Sequence, residues 1–337
     1  MLRRVFAVCA LVSACSLQRV PPSAQSQAAL LDDHMAHMSA ADMRLPAITP
    51  SRQQGDLKLP PSANTAPARI KASPRHGEWV KIAVEPGSKD TLEAWVVYPM
   101  SRDKAPVVVV VHEIFGLQTW VRGVADQVAA EGFIAIAPDF FSRPRGGPST
   151  DELPGDSATK LQGMVPITER NKIINAAASY AMMLPSAQQK YAVIGYCWGG
   201  QTVWGHAVSN GVKGYSGGVA FYGAFPFTVG GQRATATAPA VPASLAADSM
   251  AKIQKPVMLL SGSRDARIGA TMPAIDSMMK AMKKDYYGMN YEGAIHGFLR
   301  AQDDPASGNN AGTEAANLAA TKDAWPKTVA FLKKNLK

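Results

Sequence analysis

Hydrophobic and polar positions divide the 337-residue chain into two unlike parts. From about residue 77 onward, short apolar runs alternate with longer segments of helical period, the pattern of a mostly parallel sheet with helices on both faces. Trp79 to Val84 and Leu92 to Tyr98 read as opening strands. Val107 to Val111 is an unbroken run of valine, which suits a central strand buried on both faces. A helical segment from Val121 to Ala130 leads to a strand from Phe133 to Ala137, and a longer one from Glu169 to Leu184 leads to a strand from Tyr191 to Gly195. Further strands are predicted at Gly217 to Phe221, Val257 to Ser261 and Tyr286 to Tyr291, and a helix from Ala315 to Leu332 closes the chain. One α/β domain over 77–337, without internal repeats, accounts for all of them.

The part before residue 77 has no such period. Residues 15–76 are rich in Pro, Ser, Ala and Gln, with breakers such as Pro21-Pro22 and Pro60-Pro61, and read as a flexible tether. Residues 1–14 have the layout of a bacterial export signal: Arg3-Arg4, then an apolar run from Val5 to Val12 too short to span a membrane. The run ends in Val12-Ser13-Ala14-Cys15, which resembles the lipobox of bacterial lipoproteins. That implies lipidation at Cys15 and a membrane anchor facing the periplasm, with ordinary cleavage to a soluble exported protein as the alternative. Within the tether, His34 to Met38 holds soft metal ligands, but a short cluster of this kind is more often incidental, and no metal site is expected.

Composition narrows the reading further. A hydrophobic content of 47% is ample for a large core. The formal net charge is +9, but its basic residues occur singly or in pairs such as Lys283-Lys284, without the clustered stripe that nucleic-acid binding requires. Of three cysteines, Cys9 lies in the signal and Cys15 is the lipidation candidate, so no disulfide framework is expected. A thiol kept at Cys197 in an oxidising compartment points to chemistry.

That thiol sits in Gly195-Tyr196-Cys197-Trp198-Gly199-Gly200, between a predicted strand and a predicted helix. A tight strand-to-helix turn exposes its central side chain at the end of a sheet, and the flanking glycines are needed where side chains would collide with neighbouring elements. The helix N-terminus beside it stabilises a thiolate and any oxyanion formed there. A small buried hydrophobe next to a glycine turn is the bland alternative. Against it, Asp265 follows the strand Val257 to Ser261, and His296 follows the strand Tyr286 to Tyr291. Nucleophile, acid and histidine thus occur in the order that an α/β nucleophile elbow requires, each at a strand's carboxyl end.

With these residues in view, the chain from about residue 78 resembles the dienelactone hydrolase family. The resemblance is carried by His112-Glu113-Ile114-Phe115-Gly116, Ala137-Pro138-Asp139, the Cys197 turn, Asp265 and His296-Gly297-Phe298. It implies an α/β-hydrolase fold and hydrolysis of dienelactone-type or related esters by a Cys-His-Asp triad, with Cys197 as nucleophile, His296 as base and Asp265 as its orienter. Glu113 matches a glutamate that lies near the resting thiol and moves when substrate arrives, although a salt bridge to a nearby arginine is the alternative for a carboxylate after a buried strand. The backbone N–H groups of Ile114 and Trp198 would form the oxyanion hole. His112 is expected to shape that loop, and Arg300 matches an arginine that grips a substrate carboxylate.

The resemblance implies no metal or organic cofactor and a small ester or lactone, neutral or anionic, as substrate. Three features depart from the family: the export signal and tether, a proline-containing segment over about 225–252 expected to extend over the site, and a second substrate arginine for which Arg143 and Arg145 are only candidates. A non-catalytic binding module on the same fold, and an acyltransferase, are the alternative functions.

Overall fold

The computed structural model describes residues 55–151, 155–231, 243–304 and 313–337. The export signal, Cys15, the His34 to Met38 cluster and the centre of the proline-containing segment lie outside the described residues.

Strands β1 (Gly77–Ala83), β2 (Thr91–Val97), β3 (Ala105–Val111), β4 (Ile134–Pro138), β5 (Ala187–Tyr196) and β6 (Tyr215–Phe221) form one sheet with two later strands. A short hairpin, β7 (Thr228–Val229) with β8 (Ser244–Leu245), stands apart, and β9 (Val257–Gly262) and β10 (Tyr286–Tyr291) complete the eight-stranded sheet. Its order is β1-β2-β4-β3-β5-β6-β9-β10, antiparallel from β1 to β4 and parallel from β4 onward. Val107 to Val111 are all fully buried in β3, as their unbroken apolar run requires of a strand covered on both sides.

The helices are α1 (Ala66–Ala72), α2 (Thr119–Ala130), α3 (Ser142–Arg145), α4 (Gly155–Gly163), α5 (Ile167–Met183), α6 (Trp198–Ser209), α7 (Ala247–Ala251), α8 (Ala266–Ala281) and α9 (Glu314–Asn335). From β3 the chain moves outward through α2 to β4, then returns through α5 to β5 and continues through α6 to β6. Right-handed crossovers travelling in opposite directions place their helices on opposite faces. The reversal leaves a crevice at the carboxyl ends of β3 and β5, where ligands bind in sheets of this type. Glu113 follows β3 and Cys197 follows β5.

The flexible tether expected over 15–76 is corrected at its described end. Residues 59–72 fold onto the domain: Leu59 and Ala66 are buried, α1 packs on α2, and the indole N–H of Trp120 donates to the Pro61 carbonyl at 2.9 Å. Local sequence does not announce this, because the segment is held by contacts with residues far along the chain rather than by an apolar period of its own. The proline-containing segment begins with Phe225, whose ring meets Trp204 of α6 at 5.5 Å, and runs into the β7–β8 hairpin.

Candidate active site

β5 ends at Tyr196 and α6 begins at Trp198, so the chain turns from strand to helix through Cys197 alone. Its φ of 55° and ψ of −114° lie where side-chain-bearing residues are rarely found. The conformation is held from both sides. The Cys197 N–H donates to the Phe221 carbonyl of β6 at 3.0 Å, and its carbonyl accepts from the Gln201 N–H at 3.0 Å. A Cβ on Gly195 would lie 2.3 Å from the Gly199 oxygen, and one on Gly199 only 2.4 Å from the Val111 oxygen. Strand and helix approach this closely because neither glycine carries a side chain. Cys197 is 2% exposed and takes part in no disulfide.

Asp265 is the residue on which α8 starts. Its Oδ1 accepts from the Ile268 N–H at 3.2 Å, which fixes the carboxylate, and Oδ2 meets Nδ1 of His296 at 2.6 Å. Burial opposes the charged form of Asp265, but the His296 charge and hydrogen bond, with Arg267 and the Ile268 N–H, hold its carboxyl below the ordinary value. For His296, burial lowers the pKa, yet the charge of Cys197, then the charge and hydrogen bond of Asp265, raise it to about 10. The imidazole is therefore protonated at neutral pH, between a carboxylate and a sulfur. Its side chain is 9% exposed, and Nε2 is buried.

His112 is completely buried, with Nδ1 meeting the Glu113 carbonyl at 2.6 Å and Nε2 accepting from the Phe140 N–H at 3.1 Å. Burial lowers its pKa despite Asp139 nearby, and the neutral ring bonds the β3 loop to the β4 loop. Asp139 itself accepts from the Phe141 and Ser149 N–H groups. The His112 ring also stacks on Trp198 at 5.7 Å. These contacts hold the loop carrying Ile114 against the first turn of α6, whose opening N–H groups have no partner inside the helix.

Glu113 and Arg300 come together as an ion pair, Oε2 to Nε at 2.9 Å, with both side chains nearly buried. A Cβ on Gly297 would meet Arg300 Nη2 at 3.5 Å and Glu113 Oε1 at 4.0 Å, so the pair lies against the backbone next to His296. The arginine that answers Glu113 is thus the one expected to bind substrate. Arg143, by contrast, is engaged by Asp90 and Glu169 in a cavity of about 460 Å³ beside β4, away from the triad.

Two residues at the site escape sequence reasoning. Tyr222, one residue past β6 with φ 39°, packs its ring 4.9 Å from His296, and its buried hydroxyl faces Glu113, Arg300 and Cys197. Burial first, then the Glu113 charge, pushes that phenol well above its ordinary pKa. Its place at the carboxyl end of a strand next to β5 was the available signal. Arg170 of α5 is 3% exposed, lies 4.1 Å over the Trp198 ring and donates to Gln201 Oε1 at 2.9 Å; burial lowers its pKa to about 9. No motif marks it. Among the described residues there is no cluster of three or more His, Cys, Asp or Glu that could hold a metal ion.

The model of the dienelactone hydrolase family matches residues 92–336. A Synechocystis sp. protein named "Putative carboxymethylenebutenolidase" is 28% identical over 256 residues, covering 75% of this chain and 95% of its own. A Bradyrhizobium sp. protein named "Probable 2-oxo-3-(5-oxofuran-2-ylidene)propanoate lactonase" is 26% identical, covering 77% of this chain and 94% of its own. The crystal structure of a Klebsiella pneumoniae protein described as a "Putative Dienelactone Hydrolase" has the same fold, with a TM-score of 0.57 at 23% identity over 77% of this chain and 99% of that one. With a family match that takes in every strand from β3 onward, the chain belongs to the dienelactone hydrolase family and is a carboxylic ester or lactone hydrolase on the α/β-hydrolase fold.

Proposed function

We propose that this hydrolase works through a Cys197–His296–Asp265 triad and a thioester intermediate, on small esters or lactones that carry a negative charge. The observation that carries the reading is the pairing of a strained Cys197 elbow with an imidazole bonded to Asp265 at 2.6 Å and raised to about 10 by the cysteine charge as well as the aspartate.

The sulfur of Cys197 attacks the carbonyl carbon, and the N–H groups of Ile114 and Trp198 hold the resulting oxyanion. As the tetrahedral intermediate collapses, protonated His296 gives its proton to the leaving oxygen and the thioester remains. The sulfur then carries no charge, so the main influence raising the imidazole is gone while burial still lowers it. The ring becomes a base. It takes a proton from water, whose oxygen attacks the thioester, and collapse of the second tetrahedral intermediate breaks the carbon–sulfur bond, releasing the acid and leaving the Cys197 thiolate beside the imidazolium, which is the starting pair. Asp265 keeps Nδ1 protonated throughout. An anionic substrate would compete with Glu113 for Arg300 and release that glutamate into the site.

The test is release of chromophore from a short-chain activated aryl ester by the chain from residue 55 onward, compared with Cys197→Ala. Loss of turnover to the buffer rate is expected. Turnover retained by the alanine variant would overturn the thiol mechanism.

The same proposal places the protein outside the cytoplasm, anchored through a lipid on Cys15 and facing the periplasm. Its support is the Arg3-Arg4 pair and the apolar run that ends at Cys15. Incorporation of labelled palmitate that persists in Cys15→Ala would refute the anchor.

A further inference from the structure

The stretch before β1 lies ahead of the family match, which begins at residue 92, yet it touches the active-site framework at two ends. At one end it binds the loop that follows His296. The Ala63 N–H donates to the Arg300 carbonyl at 2.9 Å, Gln302 Nε2 donates to the Pro60 carbonyl at 3.0 Å, and the Ser62 hydroxyl donates to Asp303 Oδ2 at 2.8 Å. These bonds are buried or half-buried, where each is worth more than at the surface.

At the other end it binds α2. The Pro61 carbonyl accepts from Trp120, whose ring meets Tyr196, the residue before Cys197, edge-on at 5.1 Å. Pro61 approaches α2 so closely that a Cβ on Gly123 would lie 2.7 Å from its Cγ. Arg69 closes the segment on itself and on α2, donating to the Leu59 carbonyl at 3.0 Å and to Gln127 Oε1 at 2.6 Å.

The loop needs such support. Residues 292–304 contain no helix or strand, and they turn on Gly293 and Gly297, with φ of 72° and 76°. His296 and Arg300 both depend on this irregular backbone, and a loop without regular bonding opens more readily than the sheet beneath it.

We propose that residues 59–72 are a positioning strap, tying the loop that carries His296 and Arg300 to the helix behind the nucleophile. No strap atom touches the reacting atoms, so its effect is through geometry. The inference rests on the triad reading above. A truncation at residue 74, attractive from the sequence, would remove the strap with the tether.

The test uses the full chain with Gln302→Met, which deletes the bond to Pro60 together with the loop's own bond to the Leu299 carbonyl and keeps an apolar stem of similar length; Ser62→Ala, which spares the loop's internal bonds, is measured beside it and must show the same change. Folded sites are counted by near-UV circular dichroism at matched concentration, and turnover is expressed per folded site, so that simple loss of folded protein cancels. Since displacement by about 1 Å costs on the order of a hundredfold, the expected result is a kcat per site at least tenfold lower. Faster amide exchange over 296–304 should accompany it, with exchange in β3 and β5 unchanged. Should Gln302→Met fail to fold, Ser62→Ala removes only the Asp303 bond and a local cap, and the same comparison applies. A per-site kcat within twofold of wild type, or unchanged exchange over 296–304, overturns the strap. Wild-type turnover that survives full alkylation of Cys197 overturns the triad reading instead.

Discussion

Gly199→Ala is the sharpest perturbation of the elbow because its effect follows from distances. The added methyl would lie 2.4 Å from the Val111 oxygen, 2.6 Å from the His112 oxygen and 2.9 Å from the Val111 carbonyl carbon. All three are backbone atoms at the end of β3, so no rotamer change relieves the contact. Ordinary van der Waals contact begins near 3.4 Å, and reaching it from 2.4 Å requires the first turn of α6 and the end of β3 to part by about 1 Å. Overpacking of this kind costs about 1–3 kcal/mol. On the proposed mechanism the same movement would shift the Trp198 N–H relative to the Ile114 N–H, and a shift of about 1 Å at a catalytic group costs on the order of a hundredfold in rate. Urea unfolding and kcat/KM on an activated ester are the measurements, with Gly163→Ala as the comparator because its Cβ meets nothing within 4 Å. The comparator should be neutral or slightly stabilising and fully active. A Gly199→Ala variant within 0.5 kcal/mol and twofold of wild type, taken as roughly the scatter of surface substitutions, would refute the steric argument.

Asp265→Asn removes the charge and hydrogen bond that help hold the His296 pKa near 10; kcat should fall by about 10³–10⁴ and the alkaline limb of kcat/KM should move to lower pH. An unmoved alkaline limb would show that Asp265 does not set the imidazole's charge. His206 is fully buried, bonded through Nε2 to the Tyr191 hydroxyl at 3.0 Å, and burial lowers its pKa to about 3. For a base depressed on folding, the contribution is complete above the unfolded value near 6.5 and is lost as pH falls toward 3. His206→Leu should therefore lose less stability on acidification than wild type, the gap changing by up to about 1.4 kcal/mol per pH unit in that window. Parallel stability curves between pH 6.5 and 4 would contradict it.

How much of this was legible beforehand depended on how locally each feature is encoded. The strand of valines could be read because a strand buried on both faces must be apolar at every position, and the Cys197 turn because only glycine fits where strand and helix backbones nearly touch. The order of Cys197, Asp265 and His296 was legible because each lies just past a strand, and parallel strands bring their carboxyl ends to one edge. The ion pair of Glu113 with Arg300 was not, since its partners lie 187 positions apart in the chain and meet only when β3 and the β10 loop are side by side. Arg170 against Trp198, Tyr222 beside His296 and Arg143 taken by Asp90 and Glu169 belong with it. So do residues 59–72, whose order comes from Trp120, Gln127 and Gln302 rather than from any period of their own. Periodicity and glycine placement are properties of neighbours in sequence and determined the sheet and the elbow; pairing of buried charges and docking of irregular backbone are properties of neighbours in space, and the tertiary structure alone decided them.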